Sequence, residues 1–313
     1  MNKGLFAGID CGATKVLLQS AIYDNVSNKV FPTKIQKEFL YSDHPKWIND
    51  FIPISIDIQR SEYSNNNICL SGEEMIQGEV IIEIIKRIIA EVNNHSVGLC
   101  FPGIKTNEGI VVMANGPRIP SLNQRIKKIN SIYNDSDCCV LGEWKSTIGK
   151  MQQSENCLYI GGGTGIADGI VINGKIIDFN IVHNLKRSWE LKLLGGETIE
   201  SCLSPAGMIE RYNQSTGKII STLLELSKQR DFTDVIKKAQ EAFKVLIIDR
   251  VQFFKNNNTK IENIIIGQRL GSFLKNDDRS LGKALKSCTD IPIEFSEDRR
   301  TAALGAAWLK ACS

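Results

Sequence analysis

The sequence predicts an α/β protein folded in two lobes, and three observations carry that expectation. An apolar strand over Leu5–Ile9 runs into Asp10-Cys11-Gly12-Ala13-Thr14-Lys15 and then into a second apolar strand over Val16–Ile22. The same strand, glycine-rich turn and strand recur at Cys157-Leu158-Tyr159-Ile160, Gly161-Gly162-Gly163-Thr164-Gly165 and Ile166–Ile172. Between and after the two hairpins, strand-like and helix-like segments alternate, which places helices on sheet faces. With 313 residues and 42% hydrophobic content, the chain is long enough to bury a large core and to divide.

Taken in order, the first half reads as strands near 5–10, 16–24, 30–40, 97–101, 109–114 and 138–142. Helices are expected near 78–93 and near 121–132, the latter with Ser121 as N-cap. The isoleucine-rich segment 79–92 is interrupted by Glu83, Lys86, Arg87 and Glu91, the pattern of an amphipathic helix. The polar stretch Asp57–Asn67 reads as an excursion from the first lobe. In the second half, strands are expected near 157–160, 166–172, 264–267 and 291–295, with Asn173-Gly174 closing a hairpin. Helices follow near 196–213, 218–228, 233–256 and 299–311. The expected lobes are 1–142, joined by 299–313, and 143–298.

The two turns carry the chemistry. The first presents the Asp10 carboxylate, the Thr14 hydroxyl, the Lys15 ammonium and turn amides together, groups suited to a polyphosphate and its metal. Asp10 is the expected magnesium ligand, through water, with Gly12, Thr14 and Lys15 at phosphate oxygens. An ordinary hairpin with an Asp-x-Gly turn is the competing reading. In the second turn four glycines in five residues let backbone approach an anion closely. It continues neither as Gly-Lys-Ser/Thr into a helix nor as a dinucleotide-binding turn, so both of those motifs are excluded.

This pair of motifs resembles the phosphate motifs of the actin-like ATPase and sugar kinase superfamily, and within it the ROK family of bacterial sugar kinases. Gly98–Gly103 is similar to the family's apolar strand ending in Pro-Gly. Gly109–Asn115 resembles the next strand, which ends in a sugar-binding Asn. Thr198-Ile199-Glu200-Ser201 with Ser204-Pro205-Ala206 resembles the Cys-Leu-Glu segment and its helix. Ile264–Gly267 resembles the strand and turn beneath the adenine, and Ala302–Ala307 the final helix.

The resemblance implies a two-lobed actin-like (ribonuclease H-like) fold with a central cleft, and ATP-dependent phosphorylation of a hexose or modified (amino or N-acetyl) hexose. It assigns Gly161, Gly162, Gly163, Thr164 and Gly165 to ATP phosphates and Gly267 to adenine. It assigns Asn115, Gly116, His183, Glu190 and Glu200 to the sugar. The family places an Asn-Asp pair, whose Asp is the base, directly after a strand. With that strand put at Cys138–Leu141, the pair reads Gly142-Glu143, so Glu143 is the expected base and Asp10 its catalytic partner at the metal. Alternatively Glu143 only opens a helix, where an acid favours the dipole. Asn180 is the simplest counterpart of the family's Gly-Glu acid, with Glu190 as substitute. Gln268 and Arg269 stand where the family has a second glycine, and Asp168 is expected on an exposed hairpin.

Composition sets further bounds. A net charge of +3 with scattered basic residues gives no reason to expect nucleic acid. Without a signal-like or membrane-spanning run, a cytoplasmic location and no membrane partner are expected. Nine cysteines without a Cys-x-x-Cys pair argue for buried thiols. Only Cys202 lies near the family's zinc cluster, so no structural zinc is expected. Homodimerisation is left open. The departures from the family lie on the acceptor side, which leaves an alternative: a catalytically degenerate nucleotide- or sugar-binding regulator of the same fold.

Overall fold

The computed structural model describes residues 3–179, 181–182, 185–276 and 280–313. The chain forms two compact units, one of residues 1–148 with 300–313 and the other of residues 149–299. The first boundary falls beyond Gly142 because a helix runs through that position.

Unit 1 begins with strands β1 (Lys3–Cys11), β2 (Lys15–Asp24) and β3 (Lys29–Leu40). Helices α1 (Ile56–Ser64) and α2 (Gly72–Ala90) follow, each with a serine side chain capping its N-terminus. The stretch expected as an excursion thus contains a regular helix. Then come β4 (Ser96–Phe101), the short pair β5 (Ile104–Lys105) and β6 (Ile110–Val112), the single turn α3 (Leu122–Arg125), β7 (Ile132–Asn134) and α4 (Asp135–Lys145).

Unit 2 contains β8 (Cys157–Gly162), β9 (Ile166–Ile172), β10 (Lys175–Ile176), α5 (Ile199–Leu203), α6 (Pro205–Thr216), α7 (Leu223–Ser227) and α8 (Thr233–Asn256). It ends with β11 (Asn263–Gly267), α9 (Gln268–Asn276), α10 (Leu281–Lys286) and β12 (Ile293–Phe295). The expected helix over 196–213 is broken at Ser204-Pro205, because proline serves as the first residue of a new helix. The C-terminal helix α11 (Thr301–Cys312) belongs to unit 1.

Both units are built on one pattern. The first sheet has the order β3-β2-β1-β4-β7 and the second β10-β9-β8-β11-β12. In each, the first three strands meander antiparallel and the last two run parallel to the hairpin's first strand. Each glycine-rich turn therefore joins the central strand of its sheet to the next, at the edge where the parallel strands also end. Such an edge is where α/β sheets place ligands.

In unit 1 the apolar face of α2 (Val80, Ile81, Ile84, Ile85, Ile88) packs with Ile9, Leu18 and Leu99. The other face is covered by α11, whose small residues allow backbone-to-backbone approach. A Cβ on Gly8 would lie 1.6 Å from the Ala303 carbonyl oxygen, and one on Gly98 2.1 Å from that of Ala306. Helix α4 meets α11 the same way: a Cβ on Gly142 would lie 1.7 Å from the Thr301 oxygen.

Two expectations are overturned in one stretch. Residues 138–142 form helix rather than strand, and the strand lies earlier, at Ile132–Asn134, beginning where the helix expected near 121–132 should end. The continuous apolar run Cys138–Leu141 is buried on every side, and a short run of that kind reads equally well as strand or helix. Ser121 makes no side-chain cap bond, and α3 stops after one turn. Among the described residues no helix is long and apolar enough to cross a membrane.

Candidate functional site

Unit 1 gathers its polar groups where β1, β4 and β7 end. In the parallel register Asp10 stands beside Cys100, and Cys100 beside Tyr133, so Asn134 and Asp135 follow one step beyond the row that holds Asp10. Two strand spacings separate Asp10 from that position, roughly 10 Å. Asp10 is half-buried and accepts from the Cys100 thiol at 3.6 Å. The Cys100 thiol also donates toward Cys138, and that bond together with burial pushes its pKa well above the ordinary value, so Cys100 stays protonated beside the carboxylate.

The first turn is held from below. The Gly12 amide donates to the Lys15 carbonyl at 2.9 Å, while Tyr41 donates its amide to the Thr14 carbonyl and its hydroxyl to that of Gly12. Burial raises the Tyr41 phenol well above its ordinary pKa, so it stays a donor. Thr14 is exposed. Lys15 is differently placed from the expectation of a free phosphate ligand: its ammonium is paired with Glu38 on β3. A Cβ on Gly12 would meet only the Lys15 carbonyl oxygen, at an ordinary contact distance of 3.7 Å, so this position has room for a methyl group.

Asn115 is exposed just past β6, with Gly116 buried beside it. Their approach is fixed by two side chains that sequence reasoning passed over. Buried Gln59 of α1 accepts from the Met113 amide at 2.7 Å and donates to its carbonyl at 3.0 Å. Fully buried Arg118 donates to both Glu74 carboxylate oxygens at 2.8 Å and also pairs with Glu62.

Glu143, the expected base, lies away from this edge. It is wholly buried in the third turn of α4. It is eight residues after Asp135, so at 1.5 Å per residue about 12 Å along the helix from the sheet edge. The residues that do follow a strand at this edge are Asn134 and Asp135. A signal for them was present, since Asn-Asp follows the strand-forming Ile132-Tyr133, but the buried run after it drew the strand assignment away.

Unit 2 carries the second turn between β8 and β9, with the Gly163 amide donating to the Gly165 carbonyl at 3.1 Å. Gly267 pairs with Gly161 across β11 and β8, and the buried Tyr159 ring lies over both: a Cβ on Gly267 would be 2.6 Å from its hydroxyl. Thr164 is exposed. The remaining glycines face the protein's own side chains. A Cβ on Gly162 would lie 2.4 Å from that of Leu270, one on Gly163 2.7 Å from Gln268 Oε1, and one on Gly165 2.4 Å from Glu200 Oε2. Glu200 accepts from the Ile166 amide at 3.0 Å, so it is joined to the turn. Gln268 adopts a left-handed backbone (φ 59°), uncommon for a residue with a side chain.

Asp168 is not on an exposed hairpin. It is buried, bonded by Arg250 Nε at 2.6 Å and by the Ser188 amide at 2.9 Å. Arg250 also donates to the Lys186 carbonyl at 2.6 Å, so one ion pair ties β9, α8 and the segment before Glu190 together. Glu190 is exposed and turns back to cap its own short 3-10 turn through the Arg187 amide at 2.8 Å. His183 and Asn180 lie outside the described residues.

No family model matches the chain. It is 33% identical over 108 residues to an N-acetyl-D-glucosamine kinase of Pectobacterium atrosepticum, a match spanning 32% of this chain and 34% of that protein. Solved structures match along nearly the full length. A ROK hexokinase from Thermus thermophilus superposes with a TM-score of 0.61 at 17% identity, covering 97% of both chains. A ROK family glucokinase from Streptomyces griseus, solved with glucose and AMPPNP, gives 0.60 at 14% identity, covering 99% of this chain and 100% of that one. A ROK family transcriptional regulator, a homolog of the E. coli MLC protein, gives 0.55 at 15% identity, covering 98% of this chain and 78% of that one. Two units on repeated sheet topology, with these neighbours over almost every residue, give the chain the two-lobed actin-like fold of the ROK sugar kinases.

Proposed function

We propose that this protein transfers the terminal phosphoryl group of ATP to a hydroxyl of a hexose, or of an amino- or N-acetyl-hexose, with Asp135 rather than Glu143 as general base. The observation that carries this reading is the shared edge of β1, β4 and β7, which holds Asp10 and Asn134-Asp135 two strands apart. A base and a metal-side carboxylate at that separation leave room for the reacting hydroxyl and phosphorus between them. Asp135 is half-buried at the start of α4, where a carboxylate is favoured by the helix dipole.

A lone aspartate suits magnesium, which keeps most of its waters and takes few protein ligands. Asp10 would hold it, and the ion would neutralise charge on the phosphates. By resemblance the second turn, Gly161–Gly165 with Thr164, and the first, at Gly12 with Thr14, would orient phosphate oxygens, with Gly267 beneath the adenine. By the family resemblance, Asn115 and Gly116 of unit 1 and His183, Glu190 and Glu200 of unit 2 would bind the sugar. Asp135 then takes the proton of the acceptor hydroxyl as it attacks, the role such catalytic aspartates play in phosphoryl transfer. A cytoplasmic location fits these substrates.

A non-catalytic binding role is the second reading. It is favoured by Gln268 and Glu200, which lie against the glycines that a phosphate would approach, and by the regulator among the structural neighbours. Sugar-dependent release of ADP from Mg-ATP, measured over glucose, mannose and their amino and N-acetyl derivatives, separates the two. The kinase reading predicts turnover with at least one of these sugars. Sugar binding without any ADP release would favour the regulator.

A further inference from the structure

Lys105 lies where neither the hairpin motifs nor the family resemblance places a functional residue. Its ammonium donates to the Phe101 carbonyl at 2.8 Å, the Gly103 carbonyl at 2.6 Å and Asn134 Oδ1 at 3.2 Å. Three ammonium protons thus meet three acceptors, which fixes a side chain that is usually free to sweep. Two of the acceptors belong to the turn that ends β4, where Gly103 has a left-handed backbone (φ 86°). The third is the side chain immediately before Asp135.

Asn134 is the residue at the N-terminal boundary of α4, yet its side chain does not cap the helix. Its carboxamide instead links Lys105 on one side to Ser136 Oγ at 2.7 Å on the other. The side chains on both sides of Asp135 are therefore tied, through Lys105, to the end of the neighbouring strand. We propose that Lys105 is a positioning residue for phosphoryl transfer: it locks the Asn134-Asp135 corner onto the Phe101–Gly103 turn and so sets where the Asp135 carboxylate meets the acceptor hydroxyl. This rests on the reading of Asp135 as base.

The charge state of Lys105 gives the lock a pH signature. Burial draws its pKa below the ordinary lysine value, opposed by the charges of Asp135 and Asp137 on α4 and by Cys100 on β4 and Cys138 on α4. The charged form, with all three bonds, is present below the folded pKa and lost as pH rises through it. An arginine would retain its charge across that range.

The test compares wild type, Asp135→Asn, Lys105→Met and Lys105→Arg by steady-state kinetics with Mg-ATP and the sugar panel above. The expected result for Lys105→Met is a fall in kcat of about 100-fold, the scale of a 1 Å misplacement, with the KM for ATP within about twofold. Lys105→Arg should recover part of the rate and lack the alkaline fall of the wild type. Asp135→Asn inactive beside a fully active Lys105→Met, or an alkaline limb unchanged in Lys105→Arg, overturns the positioning role alone. An active Asp135→Asn, or a wild type that turns over none of the sugars, overturns the base assignment and this inference with it.

Discussion

The two glycine-rich turns occupy equivalent places in equivalent sheets, yet glycine serves them differently. Around the first turn a Cβ on Gly12 would make only an ordinary contact, and Tyr41 secures the backbone through the Thr14 and Gly12 carbonyls. Around the second, Gly162, Gly163 and Gly165 each face a side chain of unit 2 where a Cβ would stand. Glycine richness read as room for an anion is therefore only half right. In the second turn it is first a packing requirement, and Leu270, Gln268 and Glu200 are what it accommodates.

The contrast predicts graded responses to adding a single methyl group. Among the turn glycines that face a polar side chain, Gly165→Ala has the largest expected effect, because Glu200 is bonded to the next amide and must move: about 1–3 kcal/mol of destabilisation, read by denaturant unfolding. Combining it with Glu200→Ala should then give less than the sum of the two single losses, since the obstacle is already gone. Strict additivity would show that the turn itself, and not Glu200, resists the methyl.

Gln268→Gly comes next and in the opposite direction. Removing a side chain from a left-handed backbone relieves roughly 1 kcal/mol of strain, so the melting temperature should rise. A fall would mean that the contact of Gln268 with Gly163 stabilises more than the backbone costs. Gly163→Ala should cost less than Gly165→Ala, under about 1 kcal/mol, because its neighbour is the far end of a flexible side chain. Gly12→Ala should be smallest, within about 0.5 kcal/mol of wild type. A larger loss there would remove the distinction between the turns.

Much of this architecture was legible in the sequence, and the exceptions have physical causes. Alternating apolar strands around Asp10–Lys15 and Gly161–Gly165 marked both hairpins, and Asn173-Gly174 closed the next one with the left-handed pair it needs (φ 49° and 68°). The run Ala302–Ala307 was legible through its resemblance to the family's final helix, and it lies on Gly8 and Gly98 as its small residues allow. What failed was Cys138–Leu141. A helix packed on all sides loses its amphipathic signature, so its period vanished and the strand was sought one element too late.

The site was less legible than the fold. Arg250 reaches Asp168 across 82 residues, and Gln59 reaches Met113 across 54, so no local spacing announced either contact. Lys15 carried the right chemistry in the right motif, but its partner Glu38 is set by strand register, which the motif does not contain. Residue type was readable; the partner that claims it was not.

The central claim is that the catalytic carboxylate belongs to the corner after β7 and not to the interior of α4. It is tested most directly by measuring kcat for Asp135→Asn and Glu143→Gln side by side, on the sugar that supports wild-type turnover, with folding checked by thermal unfolding. The account predicts that Asp135→Asn loses about 1,000-fold in kcat while remaining folded, as removal of a general base should. Glu143→Gln, buried and distant from the edge, should keep kcat within about tenfold and show its effect in the melting temperature instead. The reverse pattern, with Asp135→Asn active and a folded Glu143→Gln inactive, would contradict it.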